Sequence, residues 1–522
     1  MVSAQCNRNL NIDLIYYMSS KSRINNKRIA RNTIFLYCRQ LITMFISLYT
    51  VRVVLSTLGV NDYGLYNVIG GVVALFSFLS GTMASATQRF ISYELGKEKQ
   101  QDCGKVFSSS MFSYIIIAII VLILAETLGL WFINYKLVIP ETRVFAANVT
   151  YQTSIIAFII TLLTIPYNAS IIAMEKMDIF AYISIIEAIL KLLIAFLIPL
   201  FIDDYLITYS ILMLFSICII QSFYRIYCIR KFNYCTFSIQ NKDISLIKKM
   251  TSFAGWNIIG CIASILRNQG SNILINLFFS TSINAAYGIS MQINNAVTNF
   301  SNNFYTAVRP QLVKSYSSGD TKSMIELGFK SSRLAFFLLL LISVPIFCNL
   351  RALLSLWLTD IPQYTITFTQ IIVITSLIEV FSIPLVNMLQ ACGRIKIYQI
   401  VVSVIYLMSL PVSFIFLKYG CEPQITLIVN LCLVLISLLP RLYICKKNMN
   451  ISLKDYFYEV VMKVIPSILL MCVWVMIRNR VLIPHNLFLS LCLDGLIALV
   501  IILLTGLEKS EMKLIINKLK KK

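Results

Sequence analysis

The chain has 522 residues, 58% hydrophobic and only 13% charged, with a mean hydropathy of +0.79 and a formal net charge of +22. That balance excludes a soluble globular protein and specifies a polytopic membrane protein. In a soluble chain such a charge would point to nucleic acid. Here loop lysines and arginines facing cytoplasm and anionic lipid account for it, and no nucleic-acid partner is expected. The 14 cysteines form no CxxC pair and no Cys/His cluster. They read as small hydrophobes in apolar spans. The one histidine, His485, falls in a predicted outer loop. No catalytic residue, metal site or cofactor is therefore expected.

Residues 1–31 are polar and basic and carry no signal-peptide pattern, so they read as a cytoplasmic N-terminal segment. Met18 opens a tidier start, which makes residues 1–17 dispensable on this reading. Apolar spans follow at 32–58, 63–88, 106–131, 146–170, 179–202, 205–226, 251–279, 283–307, 334–357, 365–392, 397–417, 423–440, 460–477 and 486–506. A helix of about 20 apolar residues crosses a bilayer. The expected fold is thus an all-α polytopic membrane protein of about 14 transmembrane helices. With the N-terminus inside, the outer loops hold only Lys136, Arg143, Arg351, Lys418, Arg478 and Arg480, and nearly all other cations face inward. This positive-inside bias puts both termini in the cytoplasm.

The chain also repeats itself. Tyr63-Gly64 recurs as Tyr287-Gly288, Tyr93 and Gly96 as Tyr316 and Gly319, and Ile165-Pro166 as Ile383-Pro384. The order and near-constant offset define two six-helix lobes, 32–230 and 251–446, joined by a cytoplasmic linker at 231–250. Six is even, so both copies enter from the same side, as parallel repeats do. Two further helices occupy 447–507, and a basic cytoplasmic tail occupies 508–522. Two such lobes suggest a cleft open alternately to each side of the membrane.

The stretch Met250 to Val308 is the least like lipid-facing hydrocarbon. It carries a single charge, Arg267, and many amides. Gly288, Gln292, Asn295, Asn299 and Asn302 follow a 4-3-4-3 spacing, which places them on one helix face. Amides can simply glue helices together. A whole stripe with an arginine points instead to a wet cavity, because unpaired polar groups in hydrocarbon are costly.

Other charges within spans are candidate functional residues. Arg39 and Arg52 lie on one face of the first helix, about 20 Å apart in rise. With Arg267 they form a guanidinium ladder suited to a phosphate or pyrophosphate, because a planar fork binds phosphate oxygens bidentately. The competing reading has Arg39 and Arg52 snorkelling to opposite interfaces. Glu187 and Lys191 stand at i, i+4, so they either neutralise one another or form a coupling site. Glu126, Glu379 and Asp494 are lone acids. Pro166 and Pro384 sit at matching places in the two lobes, where kinks would serve as gates. The pair Asp203-Asp204 reads as a solvated turn.

Residues Leu55 to Leu79 (LSTLGVNDYGLYNVIGGVVALFSFL) and Thr87 to Lys97 (TQRFISYELGK) resemble bacterial polysaccharide-export flippases. Their superfamily also holds multidrug and toxin extruders and the lipid II flippase. The resemblance implies alternating-access transfer of an undecaprenyl-pyrophosphate-linked oligosaccharide, an O-antigen or capsule repeat unit, across a bacterial inner membrane. It implies no enzymatic activity. Arg39, Arg52, Arg267, Gln292, Asn295 and Asn299 are then substrate contacts, Glu187, Lys191 and Glu379 coupling or cavity charges, and Pro166 and Pro384 gates. Expected partners are the lipid-linked oligosaccharide and membrane lipids, with H+ or Na+ as candidate coupling ion and glycan polymerase machinery as a candidate neighbour. The rival within the superfamily is a cation-coupled multidrug exporter. A membrane glycosyltransferase or glycan polymerase is disfavoured, because no outer loop is long enough to hold a catalytic site.

Overall fold

A computed structural model describes the backbone of residues 2–506, apart from residues 75, 98–99, 136–138, 202–203, 280, 359 and 479–485. Side chains are described from Arg28 onward, except at 60–61, 74, 77–79, 100–101 and 281. His485, Asp203, the 1–17 segment's side chains and the 508–522 tail lie outside the described residues.

The elements run α1 (Val2–Ala74), α2 (Ser77–Gly96), α3 (Gln100–Leu124), α4 (Leu130–Tyr135), α5 (Val144–Ala173), α6 (Met177–Leu197) and α7 (Tyr205–Lys231). They continue with α8 (Ile244–Phe278), α9 (Thr281–Ser317), α10 (Thr321–Cys348), α11 (Leu350–Trp357), α12 (Thr365–Glu379) and α13 (Ser382–Cys392). The last are α14 (Lys396–Leu407), α15 (Ser409–Lys418), α16 (Ile425–Met449), α17 (Leu453–Tyr456), α18 (Met462–Arg478) and α19 (Leu487–Thr505). No strand occurs among the described residues. Ten described helices are long and apolar enough to cross a bilayer, and the bent pair α12 and α13 makes up to eleven. The chain is an all-α polytopic membrane protein. The three other expected spans are also helical. Residues 63–88 divide between α1 and α2, and α8 and α9 have the length but carry the amides.

The chain divides into two compact units, Met1–Ala254 with Thr306–Ser318, and Gly255–Tyr305 with Gly319–Lys522. In the first unit, α1 changes direction at Gly59, whose φ of 75° and ψ of 169° suit only a residue without Cβ. Tyr167, Ile171, Ile220, Tyr224 and Phe107 form one apolar core between α3, α5 and α7. Arg143 ties Asp62 to Asp204. Asp204 also caps α7, accepting from the backbone N–H of Leu206 at 2.9 Å and of Ile207 at 3.3 Å. The solvated turn read there is thus corrected: Asp204 is a helix cap and an ion-pair partner of Arg143.

The turn after α5 is unusual. The N–H of Lys176 bonds the carbonyl of Ile171 and that of Glu175 bonds Ile172, the paired reverse bonds of a Schellman stop. Its left-handed residue is normally glycine. Here it is Glu175, at φ 60°. The side chain accounts for the choice. Fully buried, it accepts from Arg28 Nη2 at 3.1 Å and Lys314 Nζ at 2.7 Å and ion-pairs with Arg28 Nε at 2.6 Å, while Asn32 donates to its carbonyl at 3.1 Å. Burial pulls the Lys314 ammonium below its ordinary range, against the opposing pull of Glu175. Glu175→Gln keeps the shape and removes the charge, and is expected to cost about 2 kcal/mol. Thermal unfolding of the purified protein in one fixed detergent measures it. A melting curve superposable on the wild type would show that these ion pairs contribute nothing.

In the second unit, α18 and α19 are held to the end of α10 by a buried polar knot. Asp494 accepts from Arg478 Nε at 3.0 Å, Trp474 Nε1 at 3.0 Å and Asn349 Nδ2 at 2.7 Å. Arg478 donates in addition to the Cys348 carbonyl at 2.9 Å and to Asn349 Oδ1 at 2.6 Å. Arg478, expected in an outer loop, is instead a largely buried partner in the last turn of α18.

Candidate functional site

The second unit contains a polar cavity, and a proline sets its geometry. Pro384 has no N–H, and its ring excludes the carbonyl four residues back, that of Val380. The helix breaks there. α12 stops at Glu379, α13 starts at Ser382, and the two are bent by 40°. The Val380 carbonyl accepts the Tyr305 hydroxyl at 2.9 Å, and the Phe381 carbonyl accepts the Tyr456 hydroxyl at 3.2 Å. Two tyrosines thus stand where amide donors would.

The break leaves Glu379 on the cavity wall. Arg267 of α8 reaches it, with Nη2 3.6 Å from Oε1. The guanidinium also lies over the Tyr406 ring, 4.2 Å from its centroid. The Tyr406 hydroxyl donates to Glu379 Oε1 at 3.1 Å and accepts from Arg441 Nη2 at 2.6 Å. Glu379 is therefore clamped from two sides, directly by Arg267 and through Tyr406 by Arg441. Arg441 is 3% exposed and sits inside α16. Reading Pro440 as the end of a span had assigned it to an inner loop, so it was missed. Tyr406 carried no sequence signal of its own.

The cavity has a volume of about 260 Å³. Its walls are mostly amides and hydroxyls: Asn268 of α8, Asn294, Asn295, Thr298, Ser301 and Asn302 of α9, Thr375 and Ser376 of α12, and Asn430 of α16. Some of these pair with one another. The Ser376 hydroxyl donates to Asn294 at 2.7 Å, and Asn430 Nδ2 donates to Ser271 at 3.0 Å. Others do not: Arg267 Nη1, Ser301 Oγ and Asn430 Oδ1 are buried and make no hydrogen bond among the described residues. Each such atom costs about 1–3 kcal/mol unless something fills its valence.

The predicted stripe lies one step around the helix from this wall. Gly288, Gln292, Asn295, Asn299 and Asn302 are all exposed. Asn295 and Asn302 border the cavity, whereas Gln292 and Asn299 do not line it. Some amides do glue helices, as proposed against the cavity reading: Asn257 Oδ1 accepts from Gln390 at 3.2 Å and Gln399 at 3.1 Å.

The remaining candidates belong to the first unit. Arg39 lies over the Phe180 ring at 4.9 Å and is half-buried, while Arg52 is exposed. Glu187 and Lys191 pair at 2.6 Å, with 35% and 36% of their side chains exposed. Glu126 accepts from Gln152 at 3.1 Å. Helix α5 continues through Pro166 as a single element. The lone acids are thus not alone: Glu126, Glu379 and Asp494 each have a polar partner in the fold.

The family described as polysaccharide biosynthesis protein matches residues 29–316. This chain belongs to that family. A second family, MatE, matches residues 258–415 and so covers most of the helices that build the cavity. The Bacillus subtilis (strain 168) protein called uncharacterized membrane protein EpsK is 20% identical over 335 residues, 61% of this chain. The chain spans 63% of that relative's length. Among solved structures, an outward-facing multidrug resistance MATE family transporter of the MOP superfamily superposes with a TM-score of 0.70 at 12% identity, over 82% of this chain and 96% of that one. A MOP superfamily transporter from Pyrococcus furiosus superposes with a TM-score of 0.65 at 14% identity, over 82% and 97%. These likenesses show a shared fold. The polysaccharide family member described here has that fold and a polar, ion-paired cavity in its second unit.

Proposed function

We propose that this protein is a flippase that moves undecaprenyl-pyrophosphate-linked oligosaccharide, an O-antigen or capsule repeat unit, from the inner to the outer leaflet of a bacterial inner membrane. Transfer is by alternating access, with both termini cytoplasmic. Membership of the polysaccharide biosynthesis family carries the reading. The amide and hydroxyl walls of the cavity support it, because a glycan must exchange its water for other hydrogen-bonding groups to cross hydrocarbon. On this reading Arg39 and Arg52 meet the diphosphate, and Arg267, Asn295 and the neighbouring exposed Gln292 and Asn299 meet the carried unit. Glu187, Lys191 and Glu379 set the charge that a coupling H+ or Na+ would sense. The bend at Pro384 and its counterpart position Pro166 serve gating, and glycan polymerase machinery receives the product.

A second reading, a cation-coupled multidrug exporter, is favoured by the MatE match over 258–415 and by the MATE structures of similar fold. The two differ in what accumulates when the protein is lost. The gene is deleted, the glycan labelled, and glycosidase access compared in intact and lysed spheroplasts. Precursor digestible only after lysis is the expected result. Precursor still reaching the outer face, with no second flippase present, would turn the assignment to the exporter.

A further inference from the structure

Resting on the flippase reading, we infer that the second-unit cavity is a subsite for an uncharged sugar residue of the carried glycan, and not for its diphosphate. Charge is the first ground. Among the described residues the only ionic groups on the cavity wall are Arg267 and Glu379, and they face each other at 3.6 Å. Glu379 is held in place further by Tyr406, which Arg441 anchors from behind. An incoming diphosphate would have to lie beside a fixed carboxylate, and like charges at such range repel strongly away from bulk water.

Hydrogen-bond polarity is the second ground, and it is independent of the first. Of the three buried polar atoms left without a bond, Arg267 Nη1 can only donate, Asn430 Oδ1 can only accept, and Ser301 Oγ can do either. The Ser271 hydroxyl donates to the Arg267 carbonyl at 2.9 Å and so accepts from the Asn430 amide nitrogen, which fixes the amide orientation. A diphosphate offers acceptors alone and would leave Asn430 Oδ1 unmet. Sugar hydroxyls and acetamido groups donate and accept within a few ångströms of each other, which is what this wall requires. The remaining lining follows the same pattern, with Asn295 and Thr298 adding side chains of mixed donor and acceptor character.

The test uses the full chain in lipid nanodiscs, with proton saturation-transfer NMR as the readout for the disaccharides and phosphorus NMR line broadening as the readout for pyrophosphate. The probes are maltose, N,N′-diacetylchitobiose and inorganic pyrophosphate. At least one neutral disaccharide is expected to show transfer that pyrophosphate does not displace. Asn430→Leu is expected to weaken that binding about tenfold, and Ser301→Ala, a smaller change that guards against misfolding, by a lesser factor in the same direction. Glu379→Gln frees the arginine, so pyrophosphate binding should then appear. Pyrophosphate binding to the wild type that disappears in Arg267→Gln would overturn the inference, as would disaccharide binding indifferent to both Asn430 and Ser301. Failure of the flippase reading shows elsewhere, in glycosidase access in the deletion strain, and leaves these binding results standing.

Discussion

Asp494→Ala is expected to destabilise the second unit by about 3–5 kcal/mol, the usual cost of removing one partner from a buried ion pair. The Asp494 side chain is 1% exposed and that of Arg478 12%. Removing the carboxylate takes the counter-charge from a buried guanidinium that keeps only neutral acceptors, and leaves Trp474 Nε1 without its acceptor and Asn349 Nδ2 with only the Pro345 carbonyl. The loss therefore exceeds that of a single bond. It falls on the attachment of α18 and α19, so those helices should loosen first. Limited proteolysis between them, together with the unfolding midpoint in a fixed detergent, reads both effects. Asp494→Asn retains two hydrogen bonds and should lose clearly less. Equal losses for Ala and Asn would assign the whole effect to charge. No loss in either would remove the knot from the account of stability.

Arg267→Ala is expected to reduce delivery of glycan to the outer face to near the level of the deletion strain. The substitution leaves Glu379 on a cavity wall without its direct cation. Removing one partner of a buried pair costs about 3–5 kcal/mol, and the 31% exposure of the Glu379 side chain argues for the lower end. At about 1.4 kcal/mol per tenfold, even that end exceeds a hundredfold in the population of the intact site. The double variant Arg267→Ala with Glu379→Gln separates two causes. If the arginine's duty is to balance Glu379, the neutral double variant regains part of the lost delivery. If the arginine grips a phosphate, the double variant is no better than the single. Unaltered delivery in Arg267→Ala would take the ion pair out of the transport path altogether. Measuring Arg267→Ala, Glu379→Gln and the double variant against the wild type as a cycle gives the coupling between the two positions directly.

The spans were readable because a bilayer imposes one rule, about 20 apolar residues per crossing, that needs no partner to be seen. Arg267 was readable for the same reason, as the one charge in a long uncharged stretch. Its partner was not, since the bond to Glu379 joins helices far apart in sequence and no local pattern records it. The amide periodicity identified the right helix, yet the cavity wall lies one step around from the stripe, because packing of Ala286 and Tyr287 with Phe368 and Ile372 of α12 and Leu427 of α16 decides which face of α9 is enclosed. Arg441 was hidden by its own neighbour: Pro440 reads as a helix end, but α16 runs through it to Met449. Glu175 defied the pattern outright, since a left-handed stop predicts glycine and only the buried Arg28 and Lys314 explain the exception.

The tyrosine-served break at Pro384 bears on how this helix can move. Main-chain carbonyls in hydrocarbon must keep a donor, which ordinarily makes a transmembrane helix stiff. Here the Val380 and Phe381 carbonyls depend on hydroxyls at the ends of side chains, not on amides fixed in the same helix. Such a hydroxyl lies outside the helix's own hydrogen-bond ladder, and Val380 borders the cavity, where water could take over its carbonyl. A change of angle between α12 and α13 would therefore not leave these carbonyls tied to a broken ladder, and it would fall beside Glu379 on the cavity wall.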